Sequence, residues 1–352
     1  DFDYDGTIPA PPVLGNLIWS DEFNTDGAID ATKWFHQTQL PAGGSWFNGE
    51  IQHYTDRTDN AVVDNGILKI IAKKENYTNQ GHTKQYTSAR LNSKFTFQYG
   101  RVEIRAKLPT GVGTWPAIWM LGKNINEAGA YWQTQGFGTT GWPACGEIDI
   151  MEHWGNNQNY IQSAMHTPSS FGGTINHGGQ TIPTASTDFH IYALEWTAEK
   201  MVFSVDGAIH YTYNPPVKDA NTWPFDAEQY LLLNIAIEPS IDPNFTQSAM
   251  EIDYVRVYEL TPNSTQKVAK NKAPTYFPNP VNDVMTIELE ENIQENIIIN
   301  IHSIDGKLVK TYQKNITDNQ LQINGLSDLN QGYYFINFST EKNHYNLKFL
   351  KQ

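Results

Sequence analysis

Short runs of alternating apolar and polar residues, separated by glycine, asparagine, aspartate and proline, fill the chain from Leu17 onward. A period of two sends successive side chains to opposite faces of a strand, whereas a helix repeats every 3.6 residues. One run, YLLLNIAI at 230–237, is nearly all apolar, as expected for a strand covered on both faces. Many short strands at this spacing predict an all-β protein folded as a two-sheet sandwich. The clearest runs are 66–74, 100–108, 189–197, 200–207, 230–238 and 250–260.

The alternating pattern stops at two places, and these divide the chain. Residues 1–16 form a polar, proline-rich lead-in, and residues 261–274 are polar with a proline near each end, which predicts a linker. The intervening residues 17–260 are the predicted main sandwich. Beyond the linker, residues 275–352 alternate again, and their length and turns predict a second, small immunoglobulin-like β-sandwich.

Composition narrows the possible partners. The 352 residues suggest about two domains, and the net charge of −14 argues against nucleic acid. The only cysteine is Cys145, so no intrachain disulfide can form; a small buried residue is the favoured interpretation of it, and a nucleophile the alternative. No run of about 18 apolar residues is present, so no transmembrane helix is expected. An acidic chain rich in aromatic residues suits a neutral polysaccharide.

The segment GEIDIMEHWG at 146–155 carries the candidate chemistry. On a strand, Glu147 and Asp149 share one face, but a strict period of two would turn Glu152 toward the apolar side, where an unpaired carboxylate is costly. One inserted residue, a β-bulge at Ile150–Met151, returns Glu152 to the acidic face.

Paired carboxylates on one strand face can hydrolyse a glycosidic bond. Glu147 and Glu152 would lie about 13 Å apart at Cα, at about 3.3 Å per residue. Inward-leaning side chains could then reach roughly the 5–5.5 Å separation of retaining glycosidases. An acidic, solvated strand face is the alternative. The nearby tryptophans favour a sugar site, since sugar C–H faces stack on aromatic rings; they are Trp115, Trp119, Trp142 and Trp154.

The segment GWPACGEIDIMEHWG resembles the catalytic segment of glycoside hydrolase family sixteen, most closely its laminarinase-like (endo-β-1,3-glucanase) branch, and the resemblance extends over residues 17–260. It implies a β-jelly roll with a substrate cleft on the concave face. It also implies that Glu147 is the nucleophile, that Glu152 is the general acid/base, and that Asp149 hydrogen-bonds the nucleophile. The implied activity is retaining endo-hydrolysis of β-1,3-glucan, with laminarin first and mixed-linkage β-1,3/1,4-glucan second.

Other functions remain open on the same resemblance. Relatives cut agar, porphyran or carrageenan, but sulfated substrates would favour a basic cleft, and this chain is acidic. Glucan-binding proteins that keep the fold typically lose one or more of the acids, whereas this sequence has all three. A retaining intermediate can also be passed to a sugar, so a transglycosylase is possible.

The resemblance assigns further residues to substrate binding. Trp119 is expected as a wall beside the reacting sugar, and Trp142 is expected over the sugar before the cleavage point. Trp115 is balanced between the cleft and the core, and a cleft role for His166 is balanced against a structural one. Glu50 could face the substrate or pair with a base. The complete predicted substrate set is Trp46, Asn48, Arg90, Trp115, Trp119, Trp142 and His166.

A calcium site away from the cleft is a further expectation from the resemblance, with no cofactor needed for catalysis. The matching positions are Glu22, the backbone of Gly66, and Asp253. Carboxylate and carbonyl oxygens suit this hard cation. Its role would be stability, and ordinary surface acids are the alternative.

The C-terminal segment resembles the sorting domain of proteins exported by the type IX secretion system of Bacteroidetes. The matching features are YFPNPVND at 276–283, SIDGKLV at 303–309, GYYFI at 332–336 and the basic end KFLKQ. This resemblance implies a secreted or cell-surface protein of such a bacterium, with the secretion machinery as a partner. A generic accessory β-domain is the alternative, and we expect a monomer.

Overall fold

The computed structural model describes residues 13–261, 274–289, 296–303, 308–315, 319–339 and 344–352. The chain divides into two units, residues 1–263 and 264–352. Most of the predicted lead-in 1–16 and linker 261–274 lies outside the described residues. No helix in the described ranges is both long enough and apolar enough to cross a membrane.

The first unit is built almost entirely of strands, as the alternating pattern predicts. It contains one short helix, α1 (Tyr131–Thr134), and 3₁₀ turns at Phe47–Gly49 and Gly155–Asn157. In chain order its described strands are β1 (Val13–Asp21), β2 (Trp34–His36), β3 (His53–Tyr54), β4 (Ala61–Asp64), β5 (Ile67–Asn79), β6 (His82–Ser88), β7 (Arg90–Phe97), β8 (Gly100–Lys107), β9 (Thr114–Gly122), β10 (Glu147–His153), β11 (Tyr160–His166), β12 (His177–Thr181), β13 (His190–Trp196), β14 (Met201–Val205), β15 (Ala208–Tyr213), β16 (Gln229–Ile237) and β17 (Gln247–Thr261).

Two antiparallel sheets face each other across one apolar core. The larger has the order β15-β14-β13-β8-β17-β5-β6-β3, with β1 added to β17 and β4 to β5; only the short β3–β6 pairing is parallel. The smaller has the order β12-β11-β10-β9-β16-β7-β2. Both contribute to one buried cluster, for example Leu68 and Ile104 from the larger sheet and Ile118 and Ile148 from the smaller. The predicted two-sheet sandwich is confirmed.

Strand burial follows the sequence pattern. Buried and half-buried residues alternate along β8, which therefore has one face on the core. Every residue of β16 is buried, as its continuous apolar run predicts. β16 lies beside β9, which in turn pairs with the acidic strand β10, so the candidate catalytic strand is near the middle of the smaller sheet.

The second unit is a separate sandwich of seven described strands: β18 (Thr275–Phe277), β19 (Met285–Glu288), β20 (Asn296–Ser303), β21 (Leu308–Asn315), β22 (Gln320–Ile323), β23 (Gly332–Ser339) and β24 (His344–Lys351). A 3₁₀ turn occupies Leu326–Asp328. One sheet has the order β18-β19-β22 and the other β21-β20-β23-β24. Ile287 of the first sheet and Ile299 and Ile336 of the second share one buried core. This agrees with the predicted small sandwich.

Candidate active site

The bulge predicted in β10 is present. Against β11, Asp149 pairs with Ala164 and Glu152 with Gln162, so two residues, Ile150 and Met151, oppose the single residue between those partners. The register against β9 shifts at the same place, between Asp149 and Met151. Ile150 and Met151 are both buried in the core, and Glu152 is returned to the side of Glu147 and Asp149.

All three acids line one cleft of about 550 Å³ over the smaller sheet. Such a volume is typical of a small-molecule or oligomer-binding site. Five residues of the predicted substrate set line it as well, namely Asn48, Arg90, Trp115, Trp119 and Trp142. The structure therefore brings most of the predicted substrate set into one cleft wall.

Two nitrogen atoms surround the Glu147 carboxylate. The Trp142 indole Nε1 donates to Oε2 at 3.0 Å, and His166 Nε2 lies 3.5 Å from Oε1. Trp142 is itself 44% exposed, which leaves ring surface for a ligand. Its ring packs edge-on against Phe171, with centroids 5.4 Å apart. The indole can therefore orient the predicted nucleophile and offer a stacking surface at once.

His166 has a defined tautomer when its ring is neutral. The backbone N–H of Gly172 donates to Nδ1 at 3.1 Å, so Nδ1 is the acceptor and Nε2 carries the hydrogen. Nε2 faces the acids, 3.1 Å from Asp149 Oδ2, although that oxygen has no aligned hydrogen bond. His166 is only 8% exposed and is a cleft residue rather than a purely structural one. The residue that fixes it, Gly172, had no sequence signal.

Glu152 is held from one side by Trp115. The indole Nε1 of Trp115 donates to Oε1 at 3.0 Å, and its ring stacks on Trp154 with centroids 5.8 Å apart. The sequence left Trp115 balanced between cleft and core. The structure places it half-buried in the cleft wall, where it orients the predicted acid/base.

The pKa values of the three acids are all raised. Burial, and then the neighbouring Asp149, raise the pKa of Glu147. Burial raises the pKa of Asp149 to about 8, and burial with Asp149 beside it raises the pKa of Glu152 to about 8. Three close carboxyls in a low-dielectric cleft cannot all be ionised. One negative charge is best placed on Glu147, which has the Trp142 N–H and the more exposed side chain, 15% against 5% for Asp149.

A hydrogen-bonded chain supports the cleft floor. Trp119 Nε1 donates to Asn234 Oδ1 at 2.7 Å, and Asn234 Nδ2 donates to the Tyr54 hydroxyl at 3.0 Å. Tyr54 in turn donates to Glu50 at 2.9 Å, and Gln52 donates to the same carboxylate at 2.7 Å. Glu50 thus lines the cleft and is bonded by neutral groups. Asn234 was not identified from the sequence because it lies in an otherwise apolar strand.

Arg90 lies in the cleft but is already paired. Its guanidinium is 3.0 Å from the Glu127 carboxylate and lies over the Trp119 ring, with Cζ 4.8 Å from the centroid. The side chain is 3% exposed. Its ion pair and ring contact make Arg90 a support for Trp119. Glu127, inside the loop between β9 and α1, is the partner that the sequence did not indicate.

The assignment of Trp46 needs correction. Trp46 is 3% exposed and packs edge-on against Tyr54, with centroids 4.7 Å apart, because its large ring completes a small buried cluster with Leu40. Its neighbour Phe47 is 46% exposed and lines the cleft beside Asn48. Asn48 has a positive φ of 56° in this tight turn. Phe47 and Asn48, rather than Trp46, form this wall.

Cys145 and the predicted calcium positions lie outside the set of residues that line the cleft. Burial raises the pKa of Cys145 to about 12, so its thiol is the inert buried residue favoured by the sequence. The calcium site stays a prediction, and both of its carboxylates pair with arginines: Glu22 with Arg256 at 2.7 and 2.9 Å, and Asp253 with Arg105 at 2.5 Å. Carboxylates neutralised by arginines do not supply the charge that calcium requires.

Among the described residues, one group of acids and histidines is close enough to chelate a metal ion. It consists of Glu147, Asp149 and His166, whose ligand atoms lie within 4.8 Å of one another. Two of these residues are predicted catalytic acids, and the third contacts both of them. The cluster therefore supports acid–base and nucleophilic chemistry without requiring a metal.

Comparison with known proteins agrees with this geometry. Residues 48–256 match the family described as glycosyl hydrolases family 16, and residues 275–352 match the secretion system C-terminal sorting domain. A beta-glucanase of Rhodothermus marinus is 41% identical over 258 residues, which cover 69% of this chain and 84% of that protein.

Solved structures give the same answer. A variant of LamA from Z. galactanivorans, crystallised with laminaritriose and laminaritetraose, is 47% identical with a TM-score of 0.65, over 70% of this chain and all of that one. The laminarinase from Flavobacterium sp. UMI-01 is 39% identical with a TM-score of 0.60, over 69% of this chain and all of that one. The match to the family spans more than half of the 352 residues. This chain belongs to glycosyl hydrolase family 16.

Proposed function

We propose that the chain is a secreted, retaining endo-glycanase that hydrolyses internal β-1,3-glucosidic bonds of laminarin-type glucan. The observation that carries the proposal is the pair Glu147 and Glu152 on one cleft face, separated by the bulge and each bonded by a tryptophan N–H. The similarity to laminarinases supports the substrate class. Mixed-linkage β-1,3/1,4-glucan is the second substrate candidate.

The chemistry follows from the states of the two glutamates. Below its pKa of about 8, Glu152 is protonated and can give its proton to the leaving glycosidic oxygen. Glu147 attacks the anomeric carbon, so the C–O bond to the leaving sugar breaks as the ester bond to the protein forms. Glu152, now a carboxylate, takes a proton from water, which attacks the same carbon and releases Glu147. Two inversions give net retention.

Charge in the cleft argues against anionic polysaccharides. The described lining contains the acids Glu50, Glu127, Glu147, Asp149 and Glu152 but only one basic residue, Arg90, which Glu127 already pairs. A sulfated galactan would meet carboxylates without a free cation to bind it. A neutral glucan meets ring faces and neutral hydrogen-bonding groups instead. Hydrolysis of a sulfated galactan such as porphyran is therefore the weaker alternative. A non-catalytic role would leave the contacts of Trp142, Trp115 and His166 with the acids unexplained.

The matched sorting domain places the protein among those exported by the type IX system, which is typical of Bacteroidetes. The protein is accordingly secreted or held at the cell surface. We further propose that it works as a monomer, because one chain supplies both glutamates and the tryptophan N–H groups that orient them.

Product analysis tests this proposal. Purified protein and the Glu147→Ser variant are incubated with laminarin, lichenan and agarose, and the products are separated by size, with the anomer followed by NMR. We expect short β-linked oligosaccharides of retained configuration from laminarin, and none with the variant. Cleavage of agarose alone would overturn the substrate class, and glucan binding without cleavage would overturn the enzyme assignment.

A further inference from the structure

The bulge in β10 decides whether Glu152 is a catalytic group. Without the extra residue, the period of two would turn Glu152 into the apolar core, because a shift of one position exchanges the two faces of a strand. A bulge also interrupts the regular ladder of backbone hydrogen bonds. Something must therefore hold the backbone at Ile150–Met151 in its irregular path.

Ser163 is the residue opposite the bulge. It lies between Ala164, the partner of Asp149, and Gln162, the partner of Glu152. It is fully buried, and its hydroxyl donates to the Ile150 carbonyl at 2.7 Å. A buried carbonyl left without a partner costs about 1–3 kcal/mol. Ser163 thus binds the backbone at the point where the strand departs from regular pairing.

His210 orients the Ser163 hydroxyl. Its Nε2 lies 2.8 Å from the Ser163 oxygen. The hydroxyl has one hydrogen, which goes to the Ile150 carbonyl, since a carbonyl can only accept; Nε2 must therefore donate to the hydroxyl. Gln180 Nε2 lies 3.3 Å from Nδ1 and donates to it, which fixes the same tautomer. Burial lowers the pKa of His210 to about 4, so the ring stays neutral near neutral pH.

These contacts cross from one sheet to the other. His210 is on β15 of the larger sheet, whereas Gln180 and Ser163 are on β12 and β11 of the smaller. Upstream of the bulge the pairing of β10 with β11 is regular, with Glu147 opposite His166 and Asp149 opposite Ala164. A change at Ser163 should therefore act on Glu152 and leave Glu147 in place.

We propose that Ser163 and His210 are positioning residues that hold the bulge and so aim Glu152 at the glycosidic oxygen. This inference rests on the acid/base role proposed for Glu152. It assigns no contact with substrate to either residue. The consequence is specific. Loss of the hydrogen bonds from His210 to Ser163 and from Ser163 to Ile150 should impair proton donation to the leaving group more than nucleophilic attack.

Leaving-group dependence tests this consequence. The full chain and the variants Ser163→Ala and His210→Phe are assayed on laminarin and on 2,4-dinitrophenyl β-laminaribioside, whose nitrophenolate departs without a proton. We expect kcat/KM on laminarin to fall about 10- to 100-fold, within the range for a misplaced acid. On the aryl glycoside kcat/KM should change less than about threefold, because it reports formation of the glycosyl-enzyme.

Matched variants separate positioning from general destabilisation. Ser163→Thr keeps the hydroxyl and His210→Gln keeps an N–H donor, so both should recover most of the laminarin activity. Ser88→Ala removes another fully buried hydroxyl, one without a hydrogen-bond partner, and should leave both substrates unaffected. Hydrogen exchange of peptides spanning 146–155 should increase in Ser163→Ala and not in Ser88→Ala.

Three results would each overturn the proposal. One is a lower thermal midpoint in Ser163→Ala and His210→Phe with unchanged laminarin kcat/KM. Another is an equal fall in kcat/KM on both substrates. Unchanged hydrogen exchange across 146–155 would overturn it as well. Failure of the proposed function would be distinguishable, because the wild-type protein itself would then be inactive on laminarin. Hydrogen exchange would still show whether Ser163 stabilises the bulge.

Discussion

Two groups of carboxylates in the first unit have the same residue types and opposite surroundings. In the cleft, Glu147, Asp149 and Glu152 have no lysine or arginine partner within the described ranges; their close nitrogens belong to tryptophan and histidine. On or beside the larger sheet, several acids instead pair with an arginine or a lysine. Such pairs include Glu22–Arg256, Asp253–Arg105, Glu103–Arg101 and Glu251–Lys107.

The two settings shift the carboxyl pKa values in opposite directions. The hydrogen bond from Arg256 lowers the pKa of Glu22, so this acid is ionised and fixed. Burial without a cation raises the pKa values in the cleft, so a proton is available there near neutral pH. An indole N–H orients a carboxylate whose pKa stays raised by burial. An arginine orients the carboxylate and also lowers its pKa. The neighbouring strands thus decide whether a glutamate stabilises the fold or performs chemistry.

Replacing one glutamate in each setting with glutamine should give the largest difference in activity. Glu147→Gln removes the proposed nucleophile, and we expect kcat on laminarin to fall on the order of 10⁴-fold or more. Glu22→Gln removes an acid of the same type from an ion pair and should leave kcat within about twofold. Initial rates with equal amounts of folded protein measure both. A slow Glu22→Gln variant would mean that the larger sheet takes part in catalysis.

The pH profile shows whether an indole controls the acid. Glu152 must be protonated to donate, so kcat/KM should decline as pH rises through its pKa of about 8. The Trp115 N–H lowers that pKa by favouring the carboxylate. Trp115→Phe should therefore raise it and move the alkaline limb upward by about one pH unit. In Trp119→Phe the lost N–H served Asn234, so the limb should stay where it is in the wild type.

The comparison also explains what the sequence could and could not predict. The period-two pattern predicted both sandwiches, and the cost of burying Glu152 predicted the bulge at Ile150–Met151, which the register confirms. Those predictions depend on local spacing. Pairings between distant strands do not follow from spacing, so Arg256 beside Glu22, Glu127 beside Arg90 and Ser163 opposite the bulge could not be predicted.

Burial of individual aromatic residues was similarly hidden. Trp46 and Phe47 are adjacent in sequence, and the tight turn with positive φ at Asn48 follows them. Neither residue type nor order indicates which ring enters the Leu40–Tyr54 cluster and which faces the cleft. Phe171, 52% exposed beside Trp142, lies in a loop whose hydrogen bonds, such as Gly172 to His166, form only in the fold.

Replacement of a glutamate by glutamine should change thermal stability in opposite directions in the two groups. The fold favours protonated Glu152, so its contribution to stability is full below the ordinary pKa of 4.5 and is lost as pH rises through about 8. Glu152→Gln should therefore melt a few degrees above the wild type at pH 9 and equally at pH 4. Glu22→Gln should lose about 0.5–1 kcal/mol at pH 7, the usual contribution of a surface pair. Calorimetry of the full chain at these pH values decides; a destabilised Glu152→Gln at pH 9 would contradict the assignment.

The smallest expected effect concerns calcium. Because Arg256 and Arg105 neutralise Glu22 and Asp253, millimolar calcium or a chelator should change the melting temperature by less than about 1 °C. A cation at 100 times its dissociation constant would instead add about 2.7 kcal/mol to the free energy of unfolding. If calcium did raise the melting temperature, and Asp253→Asn abolished the rise, the arginines would have to leave these carboxylates on binding. The contrast between neutralised and unpaired acids would then hold only for the calcium-free protein.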